Sequence, residues 1–277
     1  MKRYAALLIT FAIFLGGVGA RDGARDGARD AAAVRVPVLL YHRFLNHNTT
    51  GDIYTITPME LERDLRYLRD AGYSAISVGE LVDYVKNGAP LPDKPVMLTF
   101  DDGHYNNIHY GAPLLEQYGM KASVFIVGKY SESSARENDV NPNYSYITWE
   151  QLECLPPCLE AHNHTWDMHN LRPRKGISRK SDESRADYEM DLASDLLRLQ
   201  SKIEKCTGAA PVGFAHPFGT DCSEAETVFR AVGIEASFCS RQGINSLSPG
   251  DAGALYCIKR LLRTPSKTAE RLIKAYS

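Results

Sequence analysis

Residues 95–103 read PVMLTFDDG, an apolar run that ends in two carboxylates and a glycine. A short apolar run without a helical period predicts a buried β-strand. Asp101 and Asp102 then lie where the strand stops, because Gly103 favours a turn. Adjacent carboxylates repel each other unless a cation, a proton or hydrogen bonds stabilise them. One of them could therefore bind a metal while the other faces a water molecule. The alternative is an acidic turn that caps the next helix.

Apolar runs and helical patterns alternate on both sides of this strand. Strands separated by helices predict βαβ units and a parallel sheet. About seven such units suit a distorted (β/α) barrel, an α/β fold whose chemistry lies at the carboxyl ends of the strands. Further strands are predicted at 36–42, 73–77, 121–127, up to 160–162, 212–217, 233–238 and 254–262, and helices at 58–71, 77–88, 105–118, 149–155, 187–206, 223–232 and the C-terminus.

The composition is that of a soluble globular protein. Of 277 residues, 44% are hydrophobic and 24% are charged, which excludes a disordered chain and a multi-pass membrane protein. The length allows one sizeable core. Lys plus Arg is 32 against 34 for Asp plus Glu. This balance lacks the basic excess of a nucleic-acid-binding protein, so no nucleic acid is expected as a partner.

The N-terminus has the pattern of an export signal. A short positive segment is followed by an apolar stretch over residues 4–15 and by small residues at Val18 and Ala20. This order predicts a signal peptide over residues 1–20 and a secreted or cell-surface protein. The apolar stretch is short for a membrane-spanning helix. An uncleaved signal anchor is the alternative, and it is the only membrane attachment that we expect.

Residues 21–30 read RDGARDGARD, a repeat without an apolar face. Such a segment cannot dock against a core, so residues 21–33 are predicted to be a flexible linker. The folded domain is then expected over residues 34–277.

Six cysteines fit an oxidising compartment and predict disulfides. Sequence alone cannot choose among their fifteen pairings. A zinc site at Cys154 and Cys158 is less favoured, because two prolines separate them and no second thiol pair lies nearby. The cysteines are Cys154, Cys158, Cys206, Cys222, Cys239 and Cys257.

A second cluster of metal-binding side chains occurs in HNHTWDMH, residues 162–169. His164 and His169 are too far apart to share a helical face, but they converge if His164 ends a strand and a tight loop follows. His162 and His164 would share a strand face and form another pair. One carboxylate and two imidazoles make an open transition-metal site. The alternative is a histidine-rich surface loop.

Together these motifs resemble the polysaccharide deacetylases, the carbohydrate esterase family 4 with its NodB-like domain. The resemblance rests on TFDDG (99–103), HTWDMH (164–169) and a Pro-aromatic-Gly segment (217–219), and it extends over about residues 36–263. VPVLLYHRF (36–44) is similar to the subgroup that acts on poly-N-acetylglucosamine and cell-wall sugars. The resemblance implies a NodB-like barrel and hydrolysis of acetamides on an N-acetylglucosamine polysaccharide, which is the expected partner.

The resemblance also assigns the core of the site. Asp101 matches the catalytic base, and Asp102, His164 and His169 match the ligands of one divalent metal ion. Zinc is the first choice for this ion, with cobalt or nickel as alternatives, because affinity order alone does not choose. His162 then has a supporting or structural role.

The sequence departs from the family pattern near the third motif. Where many members carry Arg-x-Pro-Tyr, this chain has Ala215 followed by His216, Pro217 and Phe218. The ion pair that orients the base is therefore missing or supplied from elsewhere. The backbone N–H of Phe218 remains an oxyanion donor by the resemblance, with His216 and Pro217 beside the substrate.

The family's late histidine, which protonates the departing amine, is also absent from the corresponding stretch 255–262. His42, at the end of the first strand, resembles the histidine that the poly-N-acetylglucosamine subgroup uses instead. The first and last strands of a closed barrel are neighbours, so His42 on the first strand could take the place of a histidine on the last. The alternatives are a structural role for His42 and His216 as the acid.

Two questions stay open. Aromatic side chains could stack on sugar rings, although a tryptophan at a helix start is more often in the core; the candidates are Trp149, Trp166, Tyr105 and Phe218. The competing functions are an O-acetyl esterase acting on xylan or another acetylated glycan, and a non-catalytic glycan-binding module on the same fold.

Overall fold

Seven parallel strands lie side by side in a curled sheet and confirm the predicted barrel-like α/β architecture. All strands of the described residues, inside and outside this sheet, are β1 Val34–Val36, β2 Val38–Tyr41, β3 Arg43–Phe44, β4 Thr55–Ile56, β5 Ser74–Ala75, β6 Pro95–Phe100, β7 Ala122–Ile126, β8 Leu159–Asn163, β9 Gly213–Ala215, β10 Ala236–Phe238, β11 Asn245–Leu247 and β12 Leu261–Leu262. The order of the seven strands in the curled sheet is β10-β9-β8-β7-β6-β2-β12, and β5 pairs with the start of β6.

The helices lie between these strands as expected for βαβ units. They are α1 Pro58–Asp70, α2 Val78–Asn87, α3 Ala112–Gln117, α4 Gly128–Glu137, α5 Trp149–Glu153, α6 Arg185–Thr207, α7 Ala225–Ala231 and α8 Ala269–Tyr276. A π-helical turn, Asn107–Gly111, precedes α3, and two 3-10 turns span Pro217–Gly219 and Ala252–Leu255.

The computed structural model describes residues 33–47, 51–138, 140–220 and 223–277. The predicted signal peptide, residues 1–20, lies outside these residues, as does the predicted linker 21–33 except for residue 33. Cys222 lies outside them as well. Within the described ranges, every helix is too short or too polar to cross a membrane.

Local sequence signals explain where the helices begin. Thr57 accepts a hydrogen bond from the backbone of Glu60, whose carboxylate accepts one from the Thr57 backbone. This capping box satisfies two amides at the start of α1. Along the same helix, Leu61, Leu65 and Leu68 are fully buried. Each of these leucines contributes about 1.5–3 kcal/mol of hydrophobic free energy.

The prediction of one strand over residues 254–262 was wrong. Only Leu261–Leu262 forms a strand there, after a 3-10 turn at Ala252–Leu255. Cys257 has a left-handed φ of 62°, which interrupts an extended chain. The Asn245 side chain also takes up the hydrogen-bonding groups of the Lys259 backbone. It accepts a hydrogen bond from the Lys259 N–H at 3.0 Å and donates one to the Lys259 carbonyl at 3.0 Å.

Helix α4 was not predicted, for a physical reason. Its sequence GKYSESSARE has no apolar stripe, and its buried positions are Gly128, Ser131 and Ser134. Small polar residues that pack closely give no hydrophobic period in the sequence.

The pairing of β12 with β2 places the two ends of the domain side by side. Leu261 is opposite Leu39, and Leu262 is opposite Leu40, in a parallel register. All strands of the curled sheet are parallel, so their carboxyl ends meet at one edge. That edge is where a barrel of this kind carries its functional groups.

Candidate active site

A cavity of about 870 Å³ opens at the carboxyl edge of the sheet. It brings together the predicted groups from the first strand, the TFDDG turn, the HTWDMH loop and the segment after β9. The lining includes His42, Asp101, Asp102, His104, His164, His169, His216, Phe218 and Arg260.

The two adjacent aspartates separate because the chain leaves the strand between them. The Asp101 N–H still donates to the Tyr41 carbonyl at 3.0 Å, which continues the β2–β6 ladder. Asp102 and Gly103 both have a left-handed φ of 71°. A Cβ at Gly103 would lie 2.9 Å from Cδ1 of Ile126, so only glycine fits there. This turn lets one carboxylate face Arg260 and the other face the histidines.

Asp102 lies beside both histidines of the HTWDMH loop. Its Oδ1 is 3.5 Å from Nε2 of His164 and 3.2 Å from Nε2 of His169. One ligand atom from each of the three residues can be chosen so that all lie within 4.8 Å of one another. Burial acts to raise the pKa of Asp102, but the neighbouring histidines outweigh it and hold the pKa well below its usual range.

The far side of each imidazole is held by the protein. Nδ1 of His164 lies 2.7 Å from the Ala215 carbonyl, so this nitrogen carries the proton and Nε2 presents its lone pair. Nδ1 of His169 lies 3.2 Å from the hydroxyl of Tyr130. One carboxylate and two oriented imidazoles therefore fit a divalent transition metal, with positions left open for water and substrate.

The loop that brings His169 back to His164 depends on a residue that the sequence analysis missed. His164 continues the β7–β8 ladder by donating its N–H to the Ile126 carbonyl at 2.9 Å. The Asp195 carboxylate on α6 then accepts the N–H groups of Trp166 at 2.7 Å and Asp167 at 2.8 Å. Burial raises the pKa of Asp195 to about 6, although both backbone hydrogen bonds act to lower it.

Arg260 supplies the ion pair that Ala215 cannot. Its two terminal nitrogens each lie 2.7 Å from one oxygen of Asp101. The side chains are 1% and 5% exposed, so the pair is almost dry. Burial acts to raise the pKa of Asp101, but Arg260 and His164 outweigh it and lower the pKa. The sequence carried one signal: an arginine inside a predicted apolar strand, KRLL.

His42 lies at the end of β2 and lines the same cavity. Its ring is 4.6 Å from the ring of Tyr54, and its carbonyl accepts a hydrogen bond from Asn107 at 2.8 Å. Burial is the largest influence and lowers the pKa of His42, while Asp102 and Asp101 act to raise it. Nδ1 of His42 is buried without a hydrogen-bond partner in the part of the chain that the structure describes.

His104 is a further neighbour of Asp102 that the sequence analysis did not select. Its Nε2 lies 3.6 Å from Oδ2 of Asp102, and its ring stacks on Tyr146 at 4.8 Å. Asp102 is therefore contacted through both of its oxygens. The available signal was the position of this histidine directly after TFDDG.

The segment after β9 borders the cavity through Phe218 and His216 but not through Pro217, which was expected beside the substrate. Phe218 is 40% exposed, has a left-handed φ of 56°, and places its ring 4.6 Å from that of His169. His216 lines the cavity and is buried, with Nδ1 2.7 Å from the Thr220 carbonyl. Pro217 is buried and is not part of the lining.

Trp166 does not lie where a sugar could stack on it, which corrects the expectation for this residue. Its ring stacks on Trp149 at 5.8 Å with an interplanar angle of 9°, and both are 8% exposed. The guanidinium of Arg198 lies 3.8 Å from the Trp166 ring centroid. Trp149 and Tyr105 are likewise not part of the cavity lining.

His162 lies deeper in the sheet, away from the metal-binding set. Its Nε2 is 3.3 Å from Glu160, and its Nδ1 accepts the Gly213 N–H at 3.3 Å.

The predicted disulfides are not formed in the structure among the five cysteines that it describes.

A curled parallel sheet with carboxylates and imidazoles at its carboxyl edge defines a hydrolase-like site. The family model for polysaccharide deacetylase matches residues 88–237, more than half of the chain. The protein therefore belongs to the polysaccharide deacetylase family, as the sequence motifs indicated.

Individual relatives agree with this assignment. The chain is 24% identical over 253 residues to a poly-β-1,6-N-acetyl-D-glucosamine N-deacetylase of Staphylococcus aureus (strain MRSA252), covering 86% of this chain and 81% of that protein. It is 22% identical over 213 residues to the enzyme of the same name from Escherichia coli (strain K12), covering 69% of this chain and only 32% of that protein. The structure of IcaB from Ammonifex degensii superposes with a TM-score of 0.70 at 25% identity, covering 87% of this chain and 96% of IcaB.

Arg260→Leu is expected to destabilise the protein by about 3–5 kcal/mol, because it leaves the buried Asp101 carboxylate without its partner. The double variant Arg260→Leu/Asp101→Asn should recover part of this loss, since the buried charge is then removed. Urea unfolding measures both free energies. Arg136→Leu, which breaks an exposed pair with Glu132, is the control and should change stability by less than about 1 kcal/mol. Equal effects of the two single substitutions would contradict the importance of the Arg260 pair.

Proposed function

We propose that this protein is a metal-dependent N-deacetylase that hydrolyses the acetamide of N-acetylglucosamine units in a polysaccharide and releases acetate. One observation carries the proposal: the convergence in one cavity of Asp102, His164 and His169, of Asp101 held by Arg260, and of His42. This set provides a metal site, a base and an acid. Hydrolysis of an unactivated amide needs all three functions.

Asp102, His164 and His169 would hold the metal ion through one carboxylate oxygen and two Nε2 atoms. When bound, a divalent cation such as zinc supplies Lewis-acid activation of water and of the acetyl carbonyl at neutral pH. The hydrogen bond that Nδ1 of His164 donates to the Ala215 carbonyl, and the one between Nδ1 of His169 and the Tyr130 hydroxyl, keep the imidazoles turned toward Asp102. These residues therefore preserve the geometry of the site before the metal arrives.

Asp101 acts as the general base. Arg260 fixes its orientation and keeps it ionised in a buried position, so it is ready to accept a proton from the attacking water. Each oxygen of Asp101 has lone pairs beyond the one that Arg260 uses. The base is therefore held rigidly and is still able to react.

His42 acts as the general acid toward the amine. Amines leave poorly as anions, so the nitrogen must gain a proton as the carbon–nitrogen bond breaks. Burial lowers the pKa of His42, which makes its imidazolium a stronger acid, although a smaller fraction of molecules carries the proton. His42 directly follows β2, so it lies beside the two aspartates that follow the paired strand β6.

We assign the Phe218 N–H to the oxyanion that forms from the acetyl carbonyl. A positioned backbone N–H in a partly buried site is an effective donor for such charge. The left-handed backbone of Phe218 is a sparsely populated conformation for a residue with a side chain, and such outliers concentrate at functional sites.

The substrate that we favour is poly-β-1,6-N-acetyl-D-glucosamine. This choice is supported by the names of two relatives, from Staphylococcus aureus and Escherichia coli, which match 86% and 69% of this chain. Phe218 and Tyr54 border the cavity with exposed aromatic surface, which suits the apolar faces of sugar rings. The N-terminal export pattern supports a site of action outside the cytoplasm.

The test is acetate release by the purified protein loaded with zinc or cobalt. We expect release from β-1,6-linked N-acetylglucosamine oligomers, weaker release from chito-oligomers, and none above background from acetylated xylan. Preference for acetylated xylan would make the protein an O-acetyl esterase. Binding of the oligomers without any acetate release would make it a glycan-binding module.

The role assigned to His42 predicts a dependence on the leaving group. His42→Ala should lose far more activity on N-acetylglucosamine oligomers than on an aryl acetate, because an aryloxide departs as a stable anion without a proton. We expect about a 100-fold difference between the two losses, within the range of general acid catalysis. The rates on both substrates measure it. Equal losses would mean that His42 is structural, and His216 would be the next acid to test.

A further inference from the structure

A closed ring of side-chain contacts joins two of the candidate metal ligands. Each member touches the next, and the contacts run through Asp102, His104, Tyr146, Tyr130, His169 and back to Asp102. Asp102 and His169 are candidate ligands, and Tyr130 contacts the second of them. His104 and Tyr146 have no role in the proposed reaction, although both line the cavity.

The two oxygens of Asp102 face different partners. Oδ1 lies 3.5 Å from Nε2 of His164 and 3.2 Å from Nε2 of His169, whereas Oδ2 lies 3.6 Å from Nε2 of His104. Nδ1 of His104 is buried and has no hydrogen-bond partner among the residues that the structure describes. The ring proton of neutral His104 therefore belongs on Nε2, where the carboxylate attracts it. In this arrangement His104 opposes any rotation that would turn Oδ1 away from the two metal-binding imidazoles.

The position of the His104 ring is set by the backbone on either side of it. This backbone pairs with the segment around Tyr146, and the Tyr105 N–H donates to the Ser145 carbonyl at 2.9 Å. His104 and Tyr146 form an antiparallel bridge and are directly opposite each other. Side chains in such opposed positions lie close together. Here the two rings stack, with centroids 4.8 Å apart and an interplanar angle of 23°.

Helix α4 holds Tyr146 through two contacts. Tyr130 and Ser134 are four residues apart on this helix and therefore lie on one side of it. The Ser134 hydroxyl accepts the Tyr146 N–H at 3.0 Å, and the Tyr130 ring lies 4.6 Å from the Tyr146 ring. The Tyr130 hydroxyl is in turn 3.2 Å from Nδ1 of His169. Tyr146 is thus packed between the residue that faces Asp102 and the residue that faces His169.

We propose that His104 and Tyr146 are positioning residues for the metal ion. His104 fixes the rotation of the Asp102 carboxylate, and Tyr146 fixes the ring of His104. The inference rests on the metal site of the proposed function, but not on the identity of the polysaccharide. Partners that orient a ligand strengthen metal binding. The contribution of both residues should therefore appear in the affinity for the ion.

Equilibrium dialysis of the purified full chain against zinc measures this contribution without any substrate. His104→Phe keeps a ring that can stack on Tyr146 but removes the nitrogen that faces Oδ2. It should weaken zinc binding by about 10- to 100-fold, the usual effect of losing a partner that orients a ligand. His104→Gln restores an N–H near the position of Nε2 and should bind zinc more tightly than His104→Phe. Equal affinities of His104→Phe and the wild type would overturn the proposal.

Tyr146 is tested through its ring. Tyr146→Phe removes only the hydroxyl and should keep the wild-type affinity for zinc within a few-fold, whereas Tyr146→Ala should weaken it by about 10-fold or more. Tyr144→Ala is the matched control, because Tyr144 belongs to the same segment but is 62% exposed. This control should bind zinc as the wild type does. Equal losses in Tyr146→Ala and Tyr144→Ala would contradict the role of the ring.

A double variant tests whether the two residues act along one path. If Tyr146 acts through His104, the loss of zinc affinity in His104→Ala/Tyr146→Ala should be smaller than the product of the two single losses, since residues in contact are not additive. A loss equal to that product would show independent effects and would overturn the assigned path.

Zinc binding also separates this inference from the proposed function. Weakened binding in His104→Phe, together with no acetate release by the zinc-loaded wild type, would support the positioning role and reject the deacetylase. A wild type that binds zinc no more tightly than Asp102→Ala would overturn both. Circular dichroism should show that each variant is folded. His104→Phe keeps a buried ring, so it tests the proposal even where an alanine variant fails to fold.

Discussion

Asp101→Asn is expected to lower the deacetylation rate by about 100- to 10,000-fold while the protein keeps its metal. Asparagine preserves the shape of the side chain and one hydrogen bond to Arg260, but it cannot accept a proton from water. The metal should remain because the Asp102 carboxylate and the two imidazoles are unchanged. Initial rates on N-acetylglucosamine oligomers and the metal content of the purified variant measure the two effects.

Two controls distinguish the loss of the catalytic base from the loss of the folded structure. Asp167→Asn removes an exposed carboxylate that pairs with Lys129 in the loop after His164, and it should leave the rate within a few-fold of the wild type. Circular dichroism should show that Asp101→Asn remains folded. A variant that keeps more than about a tenth of the wild-type rate would show that Asp101 is not the base.

Substitution of His164, His169 or Asp102 by alanine is expected to abolish both metal binding and activity. Each change removes one of three protein ligands, and two ligands do not complete a site of this kind. Even loss of a partner that only orients a ligand weakens metal binding by about 10- to 100-fold, so loss of a ligand should exceed that range. Equilibrium dialysis against zinc measures the affinity without reference to activity.

His162→Ala is the matched control for the metal site. It removes an imidazole only two positions from His164, but one that contacts Glu160 and Gly213 instead of Asp102. This variant should keep most of its metal and its activity. If His162→Ala lost zinc while His164→Ala retained it, the assignment of the ligands would be wrong.

Short-range features of the site could be predicted from the sequence. TFDDG places two carboxylates at a strand end because its strand and its turn are both encoded within nine residues, 95–103. The HTWDMH loop brings His164 and His169 together because the strand ends before it. The capping boxes at Thr57 and Ser77 define helix starts for the same local reason.

Long-range contacts could not be predicted in this way. Arg260 pairs with Asp101 across 159 residues of chain, and Asp195 holds the HTWDMH loop from α6, 29 residues beyond Trp166. No periodicity or spacing encodes such contacts, since they depend on how the strands and helices pack. The expectation for Trp166 failed for the same reason: Trp166 lies in the loop after β8, its partner Trp149 comes from α5, and their stacking buries both rings.

The residues of the candidate site become available at different times while the chain is synthesised or translocated. A polypeptide that is synthesised or translocated from its N-terminus presents TFDDG and HTWDMH well before β12 is available to pair with β2. Until then Asp101 has no counter-charge, and burying it alone is unfavourable. Pairing between segments so distant in the chain is slow to form. Partly folded molecules therefore hold Asp101 without Arg260, and the two residues meet only when β12 docks on β2.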